Sequence, residues 1–210
     1  MLHSDALTPE FLATVLASLH DHQVKTARLP MKRLSNKAVA EQRGVLAICA
    51  LFPEFKDTRQ WATLAVERSV ENIMGQVTPD GVQREWCGGY HKTVMQDGLR
   101  LMKQADQFGV TIPDEFRERV RNMGEYVFAM ATPDLGWPMF GDCSRADPIP
   151  EKRGEMALYQ TLSRLSGTWK DPKFRARARL DQSALPEKTS YAFREAGMLV
   201  MRSDLSLIHI

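Results

Sequence analysis

Prolines cut this chain into segments with the period of a helix. Pro9, Pro30, Pro53, Pro113 and Pro172 each stand at the edge of a run in which apolar residues recur every three or four positions. Proline has no N–H and crowds the preceding turn, so it opens a helix readily and rarely continues one. Thr8 can cap a first helix with Pro9 at its first position, and Phe11, Val15, Leu19 and His22 then form a stripe. Leu29-Pro30 ends it. Ser35 or Asn36 can cap a second helix, with Val39, Arg43, Leu46, Ala47 and Ala50 on one side, up to the stop at Phe52-Pro53. Asp57 opens a third, whose Trp61, Leu64, Ala65 and Ile73 share a face. A fourth carries Val94, Gly98, Met102, Ala105 and Phe108 and ends at Gly109. Pro113 begins a fifth with Phe116, Val120, Met123 and Val127. A sixth is expected over Glu151 to Ser166, and a short one from Pro172 to Leu180. The fold class is therefore all-α over residues 1–185.

After Pro186 the pattern changes. Ala196-Gly-Met-Leu-Val-Met-Arg-Ser-Asp is short, apolar and bounded by turn residues, as a strand is. Residues 186–210 are expected to begin a second, truncated domain. No partner strand is legible after it, and a lone strand leaves its backbone groups unpaired. The chain is accordingly expected to be a piece of a longer protein, and Leu207-Ile-His-Ile could be foreign to it.

The composition removes several function classes. Lys+Arg of 28 against Asp+Glu of 26 gives a formal charge of +2, which carries no general nucleic-acid signal. No apolar run reaches the roughly 18 residues that cross a membrane, and the first residues lack the pattern of a signal peptide. Cys49, Cys87 and Cys143 form no CxxC pair and are odd in number, which argues against a zinc site and a disulfide framework. No metal or cofactor is expected, and the oligomeric state is not legible.

Two connections are unusually rich. Gln76 to His91 packs a Pro-Asp-Gly turn, Glu85, Trp86, a Gly-Gly pair and Tyr90-His91 between two helical patterns, where a plain short link would do. The second runs Thr132-Pro-Asp-Leu-Gly-Trp-Pro-Met-Phe-Gly-Asp-Cys-Ser. Its Thr-Pro-Asp lies 54 residues after that of the first, a spacing that encloses about two helices and hints at a repeated helical hairpin.

These loops hold candidate groups. Tyr90 can give a proton as a neutral phenol, or take one if positive surroundings hold its phenolate. His91 titrates near neutrality. On the residues alone the plainer reading is favoured: Tyr90 packs at a helix start with its hydroxyl bonded to backbone, and His91 lies on the surface. Asn36 can hold a carboxylate oxygen through its amide or can simply cap a helix. Glu85, Trp86, Trp137 and Asp142 combine carboxylates with indoles, as carbohydrate clefts do, and could instead be turn caps and loop packing. Arg33, Lys37, Arg43 and Arg84 offer a positive rim or a solvated face.

Taken in order, these pieces resemble the heparinase II/III-like polysaccharide lyases, which include heparin/heparan sulfate and alginate lyases. The order is Asn36, Leu51-Phe-Pro-Glu-Phe55, Trp61, Pro79-Asp-Gly-Val-Gln83 with Glu85, Tyr90-His91, Gly141-Asp142 and Ala196 to Asp204. The resemblance implies an incomplete (α/α) toroid followed by a β-sandwich, of which this chain would hold the first strand. It implies β-elimination on a uronic-acid-containing acidic polysaccharide, with no cofactor, in the periplasm or outside the cell. Asn36 would contact the uronate carboxylate, Tyr90 would move the proton, and His91 would support it. Lys37, Arg84, Glu85, Trp86, Trp137 and Asp142 would bind substrate. Many members carry a histidine directly after the asparagine, where this chain has Lys37. A further catalytic histidine comes from the β-sandwich part, and His209 is no substitute for it, so the chain as it stands is expected to be inactive. A glycan-binding relative that does not cut, and a toroid glycosidase using carboxylates such as Glu85 and Asp142, remain open.

Overall fold

The computed structural model describes residues 7–31, 33–133, 135–139, 141–143 and 158–203. Expectations that rest on Asp134, Phe140, residues 144–157 and residues 204–210 lie outside them. The described chain forms two compact units, one from residues up to 72 together with 100–112, the other from 73–99 together with 113 onward.

The first unit holds α1 (Pro9–Arg28), α2 (Asn36–Leu51), most of α3 (Thr58–Gln76) and the end of α4 (Gly88–Phe108). Thr8 caps α1 by accepting from Phe11 N at 3.2 Å, with Pro9 in the first turn. The inward face of α1 is not the expected one. Phe11 is 52% exposed and His22 is exposed, while the line facing inward runs Leu12, Val15, Leu19, Gln23. Gln23 is buried because its Nε2 donates to Val45 O at 3.0 Å, which removes the cost of an unpaired amide. The face of α2 is rotated likewise. Ala38, Val39, Gln42, Val45, Leu46 and Cys49 are buried, and Arg43, Ala47 and Ala50 are exposed. In each helix a glutamine, Gln23 in α1 and Gln42 in α2, fills a buried position that apolar spacing does not mark. Arg68 closes α1 by donating to the carbonyls of Thr26, Ala27 and Leu29.

The second unit is built on α5 (Asp114–Met130), whose Phe116, Val120, Met123 and Val127 are buried as their spacing predicts. α6 (Tyr159–Trp169) and α7 (Pro172–Arg179) follow, turning through Lys170 in the left-handed region. Asp171 caps α7 through Lys173 N. Arg177 is fully buried and donates to Ala131 O at 2.8 Å and Thr132 O at 3.1 Å, at the end of α5. Val82, Tyr126, Ala129, Met130, Phe193 and Ala196 form a core cluster.

The C-terminal strand does have a partner. β1 (Tyr191–Phe193) and β2 (Met198–Val200) pair antiparallel, Tyr191 opposite Val200 and Phe193 opposite Met198. Ala196 and Gly197 belong to the turn between them, with Gly197 at φ 66°. Three residues are too few for a strand period to show in sequence. Among the described residues the molecule is thus seven helices and one small sheet, the expected all-α class with strands entering at the end.

Candidate active site

In the second unit the chain leaves α3 and makes a tight turn at Thr78-Pro79-Asp80-Gly81. Thr78 Oγ1 donates to Asp80 Oδ1 at 2.6 Å and accepts from Val82 N at 3.0 Å. Gly81 sits at φ 90°, and a Cβ there would strike the backbone of Asn122. Only glycine meets both demands. Asp80 Oδ2 accepts from Glu195 N at 2.8 Å, which ties this turn to the β hairpin.

The next residues are aimed by Gln83. It is buried, its Nε2 donates to Gln76 Oε1 and to Glu85 Oε1, and its Oε1 accepts from Glu85 N at 2.9 Å. Glu85 and Arg84 point out of the fold and are exposed. Trp86 is 49% exposed, on a backbone with φ 52°. Gly88 then starts α4 and places Tyr90 and His91 in its first turn.

Tyr90 is half-buried, and its hydroxyl donates to Asp142 Oδ2 at 2.9 Å. That hydrogen bond, reinforced by the carboxylate charge and by Glu85 and Cys87, raises the Tyr90 pKa above the usual phenol value. Tyr90 is therefore held protonated.

His91 is not a surface group. It is 2% exposed, with Nε2 3.0 Å from Met123 O. A carbonyl can only accept, so the neutral ring carries its proton on Nε2 and presents bare Nδ1 to the interior. Burial lowers its pKa to about 4, so it is neutral at physiological pH. Tyr126 packs on the ring at 4.8 Å between centroids, and Trp137 stacks on it at 5.9 Å with planes 29° apart. Trp137, expected as an exposed indole, is partly buried with its Nε1 inside the fold, and its ring abuts Gly88 so closely that a Cβ would collide. The two rich loops therefore interlock at the start of α4, Trp137 against Gly88 and His91, Asp142 on Tyr90.

Two relationships escaped the sequence reading. Cys87 and Cys143 bring their Sγ atoms to 3.3 Å apart, where the odd cysteine count had argued against a disulfide framework. Arg119 is buried and donates to Val77 O at 2.6 Å and Met74 O at 3.2 Å, holding the end of α3 where the loop begins. The repeated Thr-Pro-Asp had hinted only at a repeated helical hairpin, not at a contact between the two loops.

In the first unit, Ser35 caps α2 by accepting from Ala38 N at 3.4 Å. Asn36 is thereby released from capping and stands half-buried as the first residue of the helix, followed by exposed Lys37. Amide donors, a cation and the positive end of a helix coincide there, a setting suited to an anion. A shallow cavity of about 440 Å³ beside it is lined by Arg33, Ser35, Lys37 and Glu41. Among the described residues no group of His, Cys, Asp and Glu could hold a metal ion.

The comparisons agree with this architecture. Residues 1–158 match the family model described as Heparinase II/III N-terminus. The chain is 28% identical over 204 residues to a heparin-sulfate lyase of Pedobacter heparinus, covering 96% of this chain and 30% of that protein. It is 24% identical over 205 residues to one of Bacteroides thetaiotaomicron, covering 93% and 29%. Among solved structures, the heparinase III-BT4657 gene product matches with a TM-score of 0.75 at 24% identity, over 97% of this chain and 31% of that one. A mutant of heparan sulfate lyase HepC from Pedobacter heparinus matches with a TM-score of 0.73 at 26% identity, also over 97% and 31%. The chain spans about 30% of the length of the curated relatives it matches. With most of its length matched by that model, the chain belongs to the heparinase II/III N-terminus family.

Proposed function

We propose that this chain is the helical part of a polysaccharide lyase that cleaves a uronic-acid-containing glycosaminoglycan by β-elimination. Tyr90 carries the proposal: its half-exposed phenol has its proton held at 2.9 Å by Asp142. β-Elimination needs the C5 carboxylate neutralised, the C5 proton removed and the departing O4 protonated. A phenol kept neutral by a carboxylate suits the last step. A standing phenolate base would need cationic neighbours, and Asp142, Cys87 and Glu85 act the other way. His91, buried and neutral, serves by orienting the start of α4.

Carboxylate neutralisation falls to Asn36 and Lys37, whose amide and ammonium donors stand at the start of α2. Exposed Trp86 offers an indole face to a sugar ring, and Arg84 a charge to sulfate or carboxylate. The names of the relatives, heparin-sulfate lyases, favour a heparan-type chain over alginate. A polymeric substrate of this kind is met outside the cytoplasm, which supports a periplasmic or secreted location. The base that removes the C5 proton is assigned to the remaining length of the relatives, so this chain alone is expected to be inactive.

The test uses this chain and a longer polypeptide that contains it, each given heparan sulfate. An unsaturated uronate product absorbing in the near ultraviolet is expected from the longer form alone, and lost in its Tyr90→Phe variant with the fold intact. Binding without product would instead indicate a glycan-binding relative. Full activity in Tyr90→Phe would remove Tyr90 from the chemistry.

A further inference from the structure

We propose that Cys87 and Cys143 are a redox-active thiol pair that closes to a disulfide and staples the loop carrying Asp142 to the start of α4. The sulfurs are 3.3 Å apart, while a disulfide requires about 2 Å, so closure asks for a shift of roughly 1 Å. Both thiols are already held in place. Cys87 Sγ donates to Asp142 O at 3.1 Å, and Gly88 N donates to Cys143 Sγ at 3.0 Å. The remaining cysteine, Cys49, belongs to the other unit and is fully buried, with Gln23 Nε2 3.5 Å from its sulfur.

The two partners have different access. Cys87 is 3% exposed, and Cys143 is partly exposed. Cys143 is thus the residue that meets an external oxidant, with an N–H of the first residue of α4 directed at its sulfur, where negative charge is favoured. Its thiolate attacks one sulfur of a small-molecule disulfide and expels the other half as a thiolate, leaving a mixed disulfide on Cys143. Cys87 then loses its proton and attacks the Cys143 sulfur, expelling the second half. The protein gains one S–S bond and loses two hydrogens. The external disulfide is reduced to two thiols. Burial raises the Cys87 pKa, which lowers the thiolate fraction available for the second step.

Asp142 directly precedes Cys143, and Tyr90 lies three residues after Cys87. Oxidation therefore fixes the proton acceptor at the tyrosine and joins two loops 56 residues apart.

The full chain is incubated with oxidised glutathione, then digested and mapped by mass spectrometry, with free thiols counted. A single linked peptide pair joining Cys87 to Cys143, with Cys49 still reduced, is expected, together with a higher thermal midpoint than that of the reduced chain. Cys87→Ser is expected to trap one glutathione on position 143, and Cys143→Ser to leave Cys87 unmodified. Three free thiols after incubation, linkage through Cys49, or a Cys87→Ser chain that traps nothing would each overturn the proposal. So would the same pairing pattern in denaturant, because the folded loops would then not select it.

Discussion

The Tyr90 hydroxyl donates a hydrogen bond to Asp142 Oδ2 across 2.9 Å, so a residue of the first turn of α4 is tied to a residue of a loop 52 positions later. The carboxylate stabilises the phenol and opposes the phenolate, through the hydrogen bond first and its charge second. Removing the charge reverses the sign. In Asp142→Asn the Tyr90 pKa is expected to fall back toward the ordinary value near 10. An ultraviolet titration of phenolate, with Tyr90→Phe subtracted to isolate one of the four tyrosines, measures it. An unchanged titration would mean that the hydrogen bond does not persist in solution.

His91 makes stability depend on pH. Its pKa is about 4 when folded against 6.5 as a free side chain, so the unfolded chain binds the extra proton over this range. Its contribution is complete above pH 6.5 and is lost as the pH falls toward 4. The difference amounts to about 3 kcal/mol. Denaturant melts of wild type and His91→Gln across this window are expected to diverge, with the variant showing the shallower loss. Parallel curves would place His91 in contact with water.

What was legible in sequence and what was not follows from locality. α5 was legible because Phe116, Val120, Met123 and Val127 repeat with the helix and are all buried. The inward faces of α1 and α2 were misjudged because Gln23 and Gln42 are buried, and Gln23 finds its partner in the backbone of another helix. Tyr90 was legible as a candidate from its loop, but the sign of its pKa shift needed Asp142. His91 looked like a surface group because its partners Met123, Tyr126 and Trp137 lie more than 30 residues away. The Cys87–Cys143 contact was hidden for the same reason, at 56 residues. β1 escaped because Tyr-Ala-Phe is too short to show a period.

Gly81 and Gly109 separate two costs of a side chain. Both have positive φ, at 90° and 65°, yet a Cβ at 81 meets the Asn122 backbone and one at 109 meets nothing within 4 Å. Gly109→Ala is expected to cost about 1 kcal/mol, the left-handed penalty alone. Gly81→Ala adds a backbone collision and is expected to cost on the order of 3 kcal/mol. Chemical denaturation of the two variants reads the difference directly. Equal losses would mean that the Thr78–Gly81 turn can move off α5.

Arg119 is the anchor from which the Tyr90 loop departs. Its Nη1 donates to Val77 O at 2.6 Å and Met74 O at 3.2 Å, and its Nη2 pairs with Glu115 at 3.0 Å. The Glu115 side chain is 70% exposed, so the ion pair contributes little. The buried carbonyls matter more, because Leu at this position keeps the packing and leaves both without their donor. Arg119→Leu is expected to cost about 2–3 kcal/mol, against less than 1 kcal/mol for Glu115→Gln. Amide exchange near Val77 is expected to rise more than that in the middle of α5, since the carbonyl anchor holds the end of α3 and α5 retains its own ladder. A uniform rise across the second unit would show that Arg119 supports the whole fold and not the mouth of the loop.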